Sequence, residues 1–182
     1  METILLISSI LLWVFMLFNI LLTIGLARRI KTRQPQIEML KVGQVAPDFR
    51  AFTLQGQPVT FADYVGRALA FVFISPHCRP CRDEIPKIEK LQPEARQLGV
   101  EIVMVSDVGE EETQAFIEEF ADQIPTLVAP RERTPFLIDY MATATPSYCL
   151  VNSGRIVQAV GLGLSELDKK ISLLSLPKEV IR

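Results

Sequence analysis

Histidine is almost missing from this chain: among 182 residues, His77 is the only one. Cysteine is scarce as well, with Cys78, Cys81 and Cys149 the full set. A disulfide-stapled scaffold needs more cysteines in a much shorter chain, so that class is excluded. A zinc centre would have to recruit Cys149 and His77, and His77 sits directly beside Cys78, a poor geometry for a shared tetrahedral site. No metal is therefore expected. Basic excess is lacking too: 19 Lys and Arg against 21 Asp and Glu leave a net charge of −2, without the footprint of a nucleic-acid binder. No repeat or low-complexity tract interrupts the chain. What is present is a hydrophobic fraction of 49%, in a length that allows one ordinary domain and an extra segment.

Another absence defines that segment. Ile4 to Leu26 carries no charged residue. As a helix it would be roughly 35 Å long at about 1.5 Å per residue, enough to cross a hydrocarbon core of about 30 Å. No basic residue precedes it, and Gly25-Leu26-Ala27 runs straight into Arg28-Arg29 without a clean small-residue cleavage site. These features favour one N-terminal transmembrane anchor at 1–27 over a cleaved signal peptide. Positions 28–41 read as a basic and polar tether, with Pro35 opposing helix continuation, and 42–182 as a globular domain.

Within that domain the first expectation is a hairpin around the Gln55-Gly56-Gln57-Pro58 turn. Leu69 to Ile74 reads as a buried strand, and Arg82 to Leu98 as a helix with Ile85, Ile88, Leu91, Ala95 and Leu98 inward, interrupted by Pro86 and Pro93. Val100 to Val105 reads as a second buried strand, and an acidic helix with Ala115, Phe116, Ile117 and Phe120 inward follows. Apolar strands separated by a helix imply a parallel pair with a right-handed crossover. Leu127-Val128 adds a short strand, and Pro135 to Met141 one or two helical turns. The chain then makes a hairpin turning at Asn152-Ser153-Gly154, and Ser165 caps a last helix with Leu167, Ile171 and Leu174 inward.

Between the first buried strand and the long helix stands Ser75-Pro76-His77-Cys78-Arg79-Pro80-Cys81. A Cys-x-x-Cys at a strand-to-helix junction puts its first sulfur near the free N–H groups of the helix start, which favours the reactive thiolate. The second sulfur is within reach, because a disulfide needs Cα atoms only about 4.4 to 6.8 Å apart. Arg79 and Arg82 either add to the thiolate-favouring field or are solvated helix-start charges, and a protonated His77 would act in the same sense.

These residues, with Ala46-Pro47-Asp48-Phe49, Glu84, Pro86 and Thr145-Pro146, resemble the thioredoxin superfamily, and within it the membrane-anchored thiol-disulfide oxidoreductases of the TlpA and ResA type. Around Ser75-Pro76-His77-Cys78 and in its long anchor the chain is also similar to the methylamine-utilisation MauD branch. Many TlpA-type proteins carry a Trp near the first cysteine, whereas the only Trp here is Trp13 in the apolar run. The resemblance implies an α/β thioredoxin-like fold, a central mixed sheet flanked by helices, working through a redox-active disulfide with no other cofactor. It implies Cys78 as nucleophile, Cys81 as the resolving cysteine, and Glu84 as a carboxylate that raises the thiol pKa or relays a proton. It further implies a cis bond at Thr145-Pro146 that sets Pro146 against the cysteines and leaves the Thr145 backbone to pair with a substrate chain. Arg79, Pro80 and His77 are the expected tuners of the thiolate. Cys149 is expected to be a buried free thiol.

The partners so implied are a protein thiol or disulfide, an upstream membrane protein that donates or accepts electrons, and the membrane itself, with maturation of a cytochrome or of a dedicated enzyme or peptide as the setting. Positive charge at Arg28, Arg29, Lys31 and Arg33 by itself puts the domain in the cytoplasm. The resemblance puts it outside the cytoplasmic membrane, and large domains translocate regardless of flanking charge, so the outer side is the expectation. Two rivals share fold features. A peroxiredoxin places Pro and Thr or Ser seven and three residues before its reactive cysteine, where this chain has Phe71 and Ser75. A copper-delivering protein of the Sco type needs three residues between its cysteines and a distant histidine.

Overall fold

A computed structural model describes residues 1–32, 38–120 and 124–174. The chain divides into two compact units, Met1–Ile37 and Glu38–Arg182. The first is a single helix, α1 (Glu2–Thr32), of which Glu2–Leu26 has a mean hydropathy of 2.6, long and apolar enough to cross a membrane. The helix continues beyond position 27, so the expected start of the tether at 28 is still helical. Arg33, Pro35 and the rest of 33–37 lie outside the described residues.

The second unit is built on a strand–helix–strand crossover, as the sequence implies. β3 (Ala68–Ile74) and β4 (Val100–Ser106) are parallel neighbours in full register, Ala68 opposite Val100 through Ile74 opposite Ser106. Between them runs α2 (Arg79–Gln97). Neither Pro86 nor Pro93 divides this helix, because both face solvent, where the carbonyls deprived of a donor are hydrated. Gly99, at φ +74°, takes the left-handed conformation that ends it.

The remaining strands extend the sheet on both sides. β1 (Arg50–Phe52) and β2 (Pro58–Thr60) form the expected hairpin, and β5 (Thr126–Val128) joins β4 in parallel. β6 (Ser147–Val151) lies antiparallel to β3 and pairs with β7 (Val157–Leu162) across the hairpin. The order is β2-β1-β5-β4-β3-β6-β7, a mixed seven-stranded sheet.

Alternation along the strands sorts the core into two layers. Ala70, Val72 and Ile74 of β3 face a layer with Cys81, Ile85 and Ile88 of α2, with α3 (Glu110–Phe120) and with α5 (Leu167–Leu174). Leu69, Phe71 and Phe73 face the opposite layer with Phe49, Phe61, α4 (Phe136–Asp139) and Tyr140. There Phe49 stacks on Phe136 at 4.3 Å, and Phe71 meets Phe136 edge-on at 5.3 Å.

Two local expectations shift. Ala115 is exposed, and Thr113 is buried in its place, because its hydroxyl hydrogen-bonds the buried Ser106 Oγ at 2.8 Å. α5 begins at Leu167, with Ser165 in the preceding turn rather than at the cap. Leu167 and Ile171 are fully buried as expected, whereas the side chain of Leu174 lies outside the described residues.

Candidate functional site

β3 ends in the buried Ile74, and the turn after it is closed by Cys78 N–H donating to the Ser75 carbonyl at 3.0 Å. Cys78 is the N-cap of α2, in extended conformation, with Arg79 and Pro80 opening the helix. Proline is tolerated there because the first helical N–H groups have no internal acceptor. Cys78 and Cys81 form a disulfide with Cα atoms 5.3 Å apart. Cys81 is fully buried and Cys78 half-buried, so the N-terminal sulfur is the more accessible of the two.

Two contacts act on that sulfur in opposite senses. The Cys81 backbone N–H donates to Cys78 Sγ at 3.3 Å, which favours a thiolate. The Thr145 carbonyl lies 3.3 Å from the same sulfur and offers an acceptor to a protonated thiol once the disulfide is reduced. Thr145-Pro146 is a cis peptide, Pro146 is buried, and its carbonyl is held by the Gly163 N–H at 2.8 Å. The loop after α4 is thus brought against a helix start more than sixty residues earlier.

Around this pair the charged groups divide. Arg82 donates to the Pro76 carbonyl at 3.2 Å and lies over the Phe120 ring at 5.2 Å, so it braces the turn before Cys78. Arg79 is exposed. His77 is also exposed and meets Glu112 of α3 at 2.8 Å, which offsets any charge it carries. Glu84, one helical turn past Cys81, pairs its Oε1 with Lys87 at 2.8 Å, while its Oε2 is buried without a hydrogen-bond partner.

Lys87 and Glu112 are members of this arrangement that the sequence reading did not single out. The Glu84–Lys87 pair was legible as an i, i+3 spacing on a helix, whereas nothing local connects Glu112 to His77. Another is Gly161 on β7: a Cβ there would lie 2.7 Å from the Tyr148 ring, so the glycine makes room for a tyrosine in the layer that contains Cys81.

Cys149 is far from this chemistry in kind. It is buried in the aromatic layer, opposite Phe71 on β3, and burial pushes its thiol from the ordinary 9.0 up to about 12. Among the described residues, no three His, Cys, Asp or Glu side chains gather in a way that could hold a metal ion.

The architecture has close counterparts among solved structures. A thiol:disulfide interchange protein from Bacteroides sp. superposes with a TM-score of 0.67 at 26% identity, covering 77% of this chain and 94% of that one. A putative thiol:disulfide interchange protein DsbE from Chlorobium tepidum gives 0.66 at 22% identity, over 75% of this chain and 99% of its own. The fold is therefore thioredoxin-like. The model of the AhpC/TSA family matches residues 42–160, and the chain belongs to that family. Among curated proteins, it is 29% identical over 140 residues to the thioredoxin-like protein YneN of Bacillus subtilis, spanning 74% of this chain and 81% of that protein. It is 26% identical over 125 residues to the thiol-disulfide oxidoreductase ResA of Bacillus cereus, spanning 68% and 71%. With its Cys78–Cys81 pair, the chain is a thiol-disulfide oxidoreductase of the ResA type.

Proposed function

We propose that this chain exchanges disulfides with a partner protein from a membrane tether. The observation that carries the reading is a half-buried Cys78 at a helix start, bonded to a fully buried Cys81 and faced by the Thr145 carbonyl. In the reductive direction the Cys78 thiolate attacks a substrate disulfide, forming a mixed disulfide and expelling one substrate thiolate. Cys81 then attacks Cys78 Sγ, closing the internal disulfide and releasing the second substrate sulfur as a thiolate. Two electrons pass to the substrate, and each released thiolate takes a proton. The reverse sequence oxidises a dithiol. Direction follows the reduction potential, about 30 mV for each 1.4 kcal/mol.

In this scheme Glu84 takes the proton of Cys81 through its unpartnered Oε2, or opposes the thiolate by its charge. Thr145 and Pro146 seat the substrate backbone. Arg79 and Pro80 shape the field at the helix start, and His77 contributes to it only as far as Glu112 leaves its charge uncompensated. The helix Glu2–Leu26 is the anchor in the cytoplasmic membrane, with the redox domain on the outer side and an upstream membrane protein resetting the pair. The substrate is a protein in maturation, a cytochrome or a dedicated enzyme or peptide, and the finer likeness to the MauD branch rests on Ser75 to Cys78 and the anchor.

Cys78→Ser is expected to abolish reduction of insulin or of a partner disulfide, and Cys81→Ser to trap a mixed disulfide. Full exchange by the Cys78→Ser protein would sink the mechanism. An impermeant thiol reagent should label the reduced pair in intact cells; labelling only after lysis would place the domain inside.

A peroxidase is the second reading, favoured by the family match and by Ser75 three residues before Cys78. Against it stands Phe71, in the middle of β3 and paired with both Val103 and Cys149, where a proline would remove a ladder hydrogen bond. Peroxide consumption by the reduced protein no faster than by free dithiol is the expected result.

A further inference from the structure

Between Ile4 and Leu26, α1 is apolar apart from Ser9 and one polar stripe. Ser8 and Asn19 are eleven residues apart, about three turns, and Thr23 follows Asn19 by a little over one turn, so all three share a face. Ser8 and Thr23 hydroxyls donate to the carbonyls of Leu5 and Asn19, at 3.0 and 2.8 Å. Each is thereby satisfied within its own helix. Asn19 is different: its Nδ2 donates to the Phe15 carbonyl at 3.2 Å, but an amide has a second N–H and an acceptor oxygen, and among the described residues no group meets them. In hydrocarbon, water does not supply the missing partners, and such groups draw helices together.

The occupant is set by symmetry. An amide is donor and acceptor at once, and two parallel copies of one helix place their Asn19 side chains at the same depth, where each can give and accept a bond. Asn19 also falls at seven-residue spacing with Leu5, Leu12 and Leu26, with Ser8, Phe15 and Leu22 between them, so that it is the one amide in the seam, as an Asn at such a position specifies a two-stranded coiled coil. We propose that α1 pairs in the membrane with α1 of a second copy of this chain, and that Asn19 specifies the pair. The proposal rests on reading α1 as a membrane anchor, and goes beyond the redox function.

The test uses the full chain in phosphatidylcholine and phosphatidylglycerol vesicles, with donor- and acceptor-labelled copies mixed. Energy transfer should rise with the ratio of protein to lipid. Asn19→Leu, which inserts at least as readily, should lower the association constant about three- to tenfold, and Asn19→Gln should retain most of it. Equal transfer by wild type and Asn19→Leu would overturn the proposal, as would no transfer at any density. Transfer seen only in native membranes would assign the stripe to another membrane protein's helix and overturn pairing between copies. Release of the chain from vesicles by alkaline carbonate would overturn the anchor reading, and this pairing with it; retention without transfer overturns the pairing alone.

Discussion

The two layers of this domain hold a buried cysteine each, and only one of those cysteines is disulfide-bonded. On the helix-covered side Cys81 is joined to Cys78 at the head of α2, within reach of a backbone N–H and the Thr145 carbonyl. On the aromatic side Cys149 is enclosed by phenylalanines and Tyr140, and its thiol is pushed up to about 12. Burial is common to both. What differs is the neighbour: Cys81 is bonded to the half-buried Cys78, whose sulfur meets a helix-start N–H and the Thr145 carbonyl, whereas Cys149 is a free thiol among aromatic rings. The aromatic layer is packed rings, and the helical layer carries the disulfide.

That division can be broken most forcefully at Phe71. It is fully buried among Phe49, Phe73, Phe136 and Tyr140, and Phe71→Ala should cost about 3–5 kcal/mol in urea unfolding. Disulfide exchange per folded molecule should stay within about twofold, a margin well under the tenfold that 1.4 kcal/mol represents; a larger drop would mean that the layers are coupled.

Gly161→Ala tests the helical layer. Its new Cβ would stand 2.7 Å from the Tyr148 ring, and overpacking of this kind costs about 1–3 kcal/mol. The double variant with Tyr148→Ala should show no added penalty from the alanine, as measured by a double-mutant cycle; strict additivity would remove the steric account.

Cys149→Val should be silent in exchange and visible only in the alkaline limb of stability. Its folded thiol titrates near 12 against an ordinary 9.0, so the raised value favours the protonated, folded form. The stability is therefore present below 9.0 and lost as pH rises toward about 12. The loss is about 1.4 kcal/mol per pH unit, and the valine variant should lack it between about pH 9 and 10, below the ordinary tyrosine range.

The smallest effect belongs to Glu110, whose carboxyl the Arg133 guanidinium beside it, at 2.6 Å, holds below its ordinary 4.5. That lowered value contributes stability above 4.5 that is lost as pH falls. Arg133→Ala should change unfolding at neutral pH by no more than about 1 kcal/mol, less at high salt.

Much of this is legible in the amino-acid sequence. The strand and the Cys-x-x-Cys follow from an apolar run and a two-residue spacing, and the helix, expected from Arg82 and found from Arg79, follows from the spacing of Ile85, Ile88 and Ala95. Cys149 could be read as a buried free thiol because it sits in an apolar strand. Other features were not readable, each for want of a local signal. Ala115 looks like the better core residue, yet Thr113 is buried because Ser106 on a neighbouring element satisfies it. His77 looks like a free charge beside a thiol, yet Glu112 lies across from it.

The amino-acid sequence alone determined the elements: their periods, the N-cap sulfur and the apolar α1, all of which rest on interactions within a turn or two of chain. The tertiary structure alone decided what faces the sulfur. The contact of Thr145 with Cys78, the bracing of Pro76 by Arg82 over Phe120, and the room that Gly161 leaves for Tyr148 join residues brought near each other only by packing. Hydrogen bonds and van der Waals contacts act over a few ångströms, and the position of one chain segment against another at that scale is set by the packed core as a whole.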